Sequence, residues 1–102
     1  GPLSGFRVRT NTTLYVIGDE IRFVRHSKHG AARHYSQTMT ERSDEIEAAC
    51  RLCSSWIDVG DLKKQLCAEL ACNDAESDGF VRALLKEQIF ETDLTIVLTS
   101  EN

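Results

Sequence analysis

The sequence predicts an α+β domain, winged helix-turn-helix-like, with a three-stranded antiparallel sheet followed by three helices. Two observations predict it. The apolar period changes once, near residue 40, from strand-like alternation to helical spacing. Hairpin turn signals precede that point and helix caps follow it. The chain has 102 residues, enough for one modest core and one domain. At 41% hydrophobic it is too apolar for a disordered chain. No apolar run approaches the ~20 residues of a membrane helix, so a membrane span is excluded. No signal peptide is evident, and a cytoplasmic location is expected.

Gly1-Pro2 reads as a cleavage scar, and residues 1–5 as tag remnant or linker ahead of a single domain over 6–100. A meander is expected over about 12–38. Thr12 to Ile17 is rich in β-branched and aromatic residues. Gly18-Asp19 is a two-residue hairpin turn. Glu20 to His26 alternates, Ser27 to Gly30 is a second turn, and Ala31 to Thr38 forms a third strand anchored by Tyr35. Helices are expected over about 43–54, 60–71 and 75–90. Ser43 caps the first, with Asp44 and Glu45 at the positive end of its dipole. Ile46, Ala49, Cys50 and Cys53 trace its apolar stripe. Asp58 with Asp61 resembles a capping box before Leu62, Leu66 and Leu70, and Asn73 with Glu76 is a better one. Phe80, Val81, Leu84, Leu85 and Ile89 form the third apolar face, interrupted by Gly79. Leu94 to Leu98 reads as a short extended tail.

Charge is divided along the chain. Residues 1–42 hold seven basic groups against three acidic ones, and residues 43–102 hold five against thirteen. The basic first half favours an acidic partner. Residues 58–93, which would hold a recognition helix, carry nine acids against four basic groups. Phosphate neutralisation supplies most DNA affinity, so this surface opposes DNA. No phosphate loop, nucleophile elbow or Cys/His pair is present, and no catalytic residue is assigned. Cys50, Cys53, Cys67 and Cys72 have a spacing that invites zinc, but their flanks are helical, so reduced packing thiols are expected and no metal or cofactor. Asn11-Thr12-Thr13 matches a glycosylation sequon without a secretion signal beside it.

The run Asn11-Thr12-Thr13-Leu14-Tyr15-Val16-Ile17-Gly18-Asp19-Glu20-Ile21-Arg22-Phe23 resembles a segment of class I lanthipeptide (lantibiotic) dehydratases, N-x-T-L-Y-x-x-G-D-x-x-R-[FY]. The leucine helix after Asp61, the helix Phe80 to Phe90 and the ending Leu98-Thr99-Ser100 follow in the family's order, so the resemblance covers about residues 7–100. The family's proline near the tail is absent. The resemblance implies a peptide-recognition element that binds the leader of a ribosomally made precursor peptide. It also implies a parent enzyme that dehydrates Ser/Thr using glutamyl-tRNA, with the catalytic domains elsewhere. The expected partners are therefore the leader peptide and the remainder of the parent dehydratase, with no nucleic acid bound by this segment and no membrane. The alternative is a winged-helix DNA-binding or protein–protein interaction module.

The residues agree with a peptide binder. A third strand at a sheet edge offers unpaired backbone groups to an added strand. The candidate peptide-binding residues are Ala32, Arg33, His34, Tyr35, Ser36 and Gln37 on that strand. Val81, Leu84, Glu87 and Gln88 on the third helix are expected to form the opposing wall. Arg33 and Arg25 are expected to meet leader acids.

Overall fold

The computed structural model describes the backbone of residues 3–29 and 32–93, and the side chains of these except 27–34. In chain order the described residues form β1 (Arg7–Thr10), β2 (Tyr15–Ile17), β3 (Glu20–His29), β4 (Ala32–Glu41), α1 (Asp44–Leu52), β5 (Ile57–Asp58), α2 (Val59–Leu70), α3 (Asp74–Lys86) and β6 (Phe90–Thr92). The α+β class and the meander β2-β3-β4 are as the sequence predicts.

Gly18 supplies the positive φ (59°) for the two-residue turn, which sets Ile17 opposite Glu20 and Tyr15 opposite Arg22. β3 and β4 then pair from Glu20↔Glu41 to His29↔Ala32. On the inner face of this sheet Ile21 and Phe23 are fully buried. They meet a core made by Ala49 and Cys53 of the α1 end, Leu62 and Leu66 of α2, and Val81 and Leu84 of α3.

The helix starts follow their caps. The Ser43 hydroxyl accepts from the Ile46 amide at 3.2 Å. One Asp58 carboxylate oxygen accepts from the Gly60 and Asp61 amides. Asn73 and Glu76 make a reciprocal capping box, each side chain accepting from the other's backbone amide.

Four features depart from expectation. β3 runs on through Ser27, Lys28 and His29, which pair with His34, Arg33 and Ala32 where a turn over Ser27 to Gly30 is expected, because the strand pairing carries the polar residues along. A second sheet, β5-β1-β6, joins residues 49 to 84 positions apart, with Val8 opposite both Ile57 and Thr92. Its strands are too short to show a period of their own. The third helix stops at Lys86 rather than near residue 90, because Gln88 adopts a positive φ (67°) and turns Ile89 and Phe90 into the core. Leu3, expected in a linker, donates its amide to Asp78 and accepts from Lys63 through its carbonyl. The expected extended tail Leu94 to Leu98 lies outside the described residues, as does the Gly30–Ala31 link.

Candidate functional site

An antiparallel strand points alternate backbone groups to its two neighbours. The Gly18-Asp19 turn makes Ile17 and Glu20 a bonded pair, so even-numbered residues of β3 face β2 and odd-numbered ones face β4. β2 covers only Glu20 to Arg22. Beyond it, side chains take over the same edge. The Val24 amide donates to Thr13 Oγ1 at 2.8 Å, and Asn11 Nδ2 donates to the Val24 carbonyl at 3.0 Å. Next, Gln88 Oε1 accepts from the His26 amide and Gln88 Nε2 donates to the His26 carbonyl, both at 2.8 Å. The amide of Gln88 thus pairs with β3 as a strand residue would. Its left-handed backbone is what aims it there.

Asn11 is the centre of this closure. Its side chain is nearly buried (5% exposed) and uses both ends. Nδ2 donates to Val24 and Gln88 carbonyls, while Oδ1 accepts from the Thr13 amide and hydroxyl. The sequon therefore encodes a buried polar knot, an assignment that spacing alone does not reveal.

The opposite edge of the sheet is different. β4's bonded partners on β3 are its even residues, opposite Ile21, Phe23 and Arg25. The N–H and C=O of Tyr35, Gln37 and Met39 consequently point outward, where no strand pairs with β4 among the described residues. Tyr35 and Met39 are largely exposed, and Tyr35 sits 5.2 Å from the His26 ring. Gln37 is held by its amide, which donates to the Tyr15 hydroxyl at 2.8 Å. Tyr15 also bonds Arg22, whose guanidinium is held protonated above its ordinary range first by Glu20 and then by this phenol. A chain laid along β4 would place alternate side chains beside Tyr35, Gln37 and Met39, and the others on the face of Ser36 and Thr38.

The sequence-derived candidates are distributed as follows. Ala32, Arg33 and His34 lie in β4 opposite His29, Lys28 and Ser27. Tyr35, Ser36 and Gln37 are exposed on the same strand. Val81 and Leu84 do not offer a wall: they are fully and almost fully buried in the core. Helical spacing marked their face as apolar without saying that the core would consume it. Glu87 is exposed beside Arg25 at 3.6 Å, and Gln88 is spent on β3. Met39 lies one residue beyond the expected strand end at Thr38, because β4 continues to Glu41; the alternation from Tyr35 and Gln37 leads to it.

The expected basic surface also changes. Arg7 pairs with Asp93, Arg9 with Glu91, Arg25 with Glu87 and Arg42 with Glu47. Arg9 additionally covers Trp56, 4.5 Å from the ring centroid. Among the described side chains, acids of the second half thus pair with four arginines of the first.

A family model described as "Lantibiotic dehydratase, N terminus" matches residues 2–102. The chain belongs to that family. Its fold is similar to part of the tRNA-dependent lantibiotic dehydratase MibB from Microbispora sp. 107891, with TM-score 0.74 and 19% identity over 87% of this chain and 8% of that one. It is also similar to the glutamylation domain TbtB from thiomuracin biosynthesis bound to 5'-phosphodesmethylglutamycin, with TM-score 0.72 and 19% identity over 85% of this chain and 11% of that one. The chain therefore spans a small part of the length of these proteins. No curated protein matches it. In this lantibiotic dehydratase N-terminal domain, the motif residues Asn11, Thr13, Tyr15 and Gly18 build the closed β3 edge and brace the open β4 edge.

Proposed function

We propose that this domain binds the leader region of a ribosomally made precursor peptide as an added strand on β4, and so presents the peptide to a dehydratase of which it is the N-terminal part. One observation carries the site: among the described residues no strand pairs with the outer edge of β4, while side chains of Asn11, Thr13 and Gln88 occupy the other edge of the same sheet. Backbone pairing there supplies affinity, and the Tyr35–Met39 face selects alternate side chains. Family membership supports the leader as ligand, a glutamyl-tRNA-dependent parent and action in the cytoplasm. No helix among the described residues is long and apolar enough to cross a membrane. The DNA reading finds no support in α2 and α3, whose surroundings are acidic.

Calorimetric titration with the leader of the precursor encoded beside the gene tests the proposal. N-methylation of successive leader residues is expected to abolish binding at every second position, because only alternate amides of an added strand reach β4. Tyr35→Ala is expected to weaken binding by about tenfold, roughly 1.4 kcal/mol. A leader that tolerates every N-methyl group overturns strand addition.

A further inference from the structure

β4 is a ten-residue strand, Ala32–Glu41, paired to β3 without interruption from Glu20↔Glu41 to His29↔Ala32. No strand pairs with its outer edge among the described residues. Long regular edges invite further pairing, and proteins commonly blunt them with lysine, proline or a bulge. β4 contains neither of those residues, and its register to β3 holds no bulge. The strand is also self-complementary. Its outward backbone groups belong to odd-numbered residues, so an antiparallel partner of the same sequence must set odd opposite odd. Two such registers pair nine residues of the strand (32–40 or 33–41). The first, centred on Ser36, sets Tyr35 opposite Gln37 and Arg33 opposite Met39. The second, centred on Gln37, sets Tyr35 opposite Met39, Ser36 opposite Thr38 and Arg33 opposite Glu41. It matches an exposed aromatic ring with an exposed thioether, hydroxyl with hydroxyl, and a cation with an anion at each end.

We propose that β4 is a self-association edge: without a leader, two copies of this chain pair their β4 strands antiparallel about a two-fold axis through Gln37. The Gln37 N–H of each copy donates to the Gln37 carbonyl of the other, and Tyr35 and Met39 exchange the same bonds on either side. The product is a continuous six-stranded sheet, β2-β3-β4-β4-β3-β2, with both cores on one face. The core-side residues at the seam, Ser36 and Thr38, are small, which lets the two backbones reach strand spacing of about 4.8 Å. A two-fold interface consumes the same patch on both copies, so the assembly closes at a dimer. The leader and the second copy need the same outward groups, so each excludes the other. That exchange rests on the function proposed above, whereas the self-pairing does not.

Sedimentation equilibrium of the 102-residue chain without leader, across the micromolar range, tests the self-pairing. A reversible monomer–dimer equilibrium is expected. Gln37→Pro removes the central donor and is expected to be monomeric, with the circular dichroism of the parent. Glu41→Arg sets like charges opposite each other twice and is expected to weaken the dimer about tenfold, with Arg33→Glu added to it restoring the affinity. Gln37→Cys, oxidised, is expected to give a disulfide joining position 37 of the two copies, whose Cα atoms lie about 5.5 Å apart across the axis. Tyr35→Cys is expected to give none, because its two copies lie about 13 Å apart along the strands. A chain that stays monomeric throughout, a dimer that survives in folded Gln37→Pro, or cross-linking at position 35 in place of 37 would overturn the proposal. The charge exchange and the cross-link decide the matter even where Gln37→Pro fails to fold. Leader added to the dimer is expected to dissolve it into one-to-one complexes. A leader that binds the intact dimer overturns the shared edge. A leader that binds in neither state sinks the proposed function, and the sedimentation result alone then judges the self-pairing.

Discussion

Asn11 spends its whole side chain on four groups of its surroundings: two carbonyls, one amide and one hydroxyl. Unpaired buried polar groups cost about 1–3 kcal/mol each, so Asn11→Ala is expected to destabilise the fold by about 2–4 kcal/mol in urea titration. Asn11→Asp keeps the acceptor and loses both donors, and is expected to cost at least as much. A second set of residues governs acid stability. Asp78 accepts from the Leu3 amide, Arg82 and Lys63, and Asp93 from the Arg7 amide and side chain; both carboxyls lie below their ordinary range, the backbone amide being the first cause in each case. A depressed folded-state value stabilises the fold above the unfolded value of about 3.8 and loses that contribution as pH falls below it. Thermal melts between neutral pH and pH about 3 are expected to show this loss. Asp78→Asn is expected to lower neutral stability and flatten the acid limb.

At the scale of elements, the register of β4 separates folding from binding. The Gln37 N–H points outward and the Ser36 N–H points to β3, by the alternation that pairs Arg25 with Ser36. Proline is tolerated where an edge strand's N–H faces solvent. Gln37→Pro is therefore expected to keep the fold in circular dichroism while abolishing leader binding, and Ser36→Pro to disrupt the sheet itself. An intact affinity in folded Gln37→Pro would remove β4 as the docking edge. In α3, Gly79 interrupts the apolar face. A Cβ there would meet nothing within 4 Å. Gly79→Ala is accordingly expected to stabilise the domain by about 1 kcal/mol, raising Tm by roughly 4–8 °C. The Asn73–Glu76 box that begins this helix was legible in the sequence, since a cap is a local pattern. Its end was not, because Gln88 turns out of the helix to reach β3, 62 positions away.

At the scale of the molecule, charge is the property that sequence order misrepresents most. Seven basic groups among the first 42 residues suggest a basic surface, yet four of those arginines pair with acids of the second half. Exposed pairs of this kind contribute about 0–1 kcal/mol each. Their larger effect is to screen these four arginines with neighbouring carboxylates. With a net charge of -4, the domain is expected to give no DNA mobility shift at physiological salt. A salt-sensitive shift would reopen the nucleic-acid reading.

The fold class, the meander, the three helix starts and the family resemblance were all legible in the amino-acid order. Those features rest on periods, turns and caps, which are written within a few residues of one another. The second sheet, the closing of β3 by Asn11 and Gln88, and the burial of Val81 and Leu84 come instead from packing between distant segments. A period of 3.6 says that one face of a helix is apolar, but packing decides how much of that face is left over. A two- or three-residue strand has no period at all, and exists because a distant strand pairs with it. For the same reason the open edge on β4 was foreseeable as an edge, whereas its standing opposite a closed one was not: that contrast depends on side chains brought from both ends of the chain.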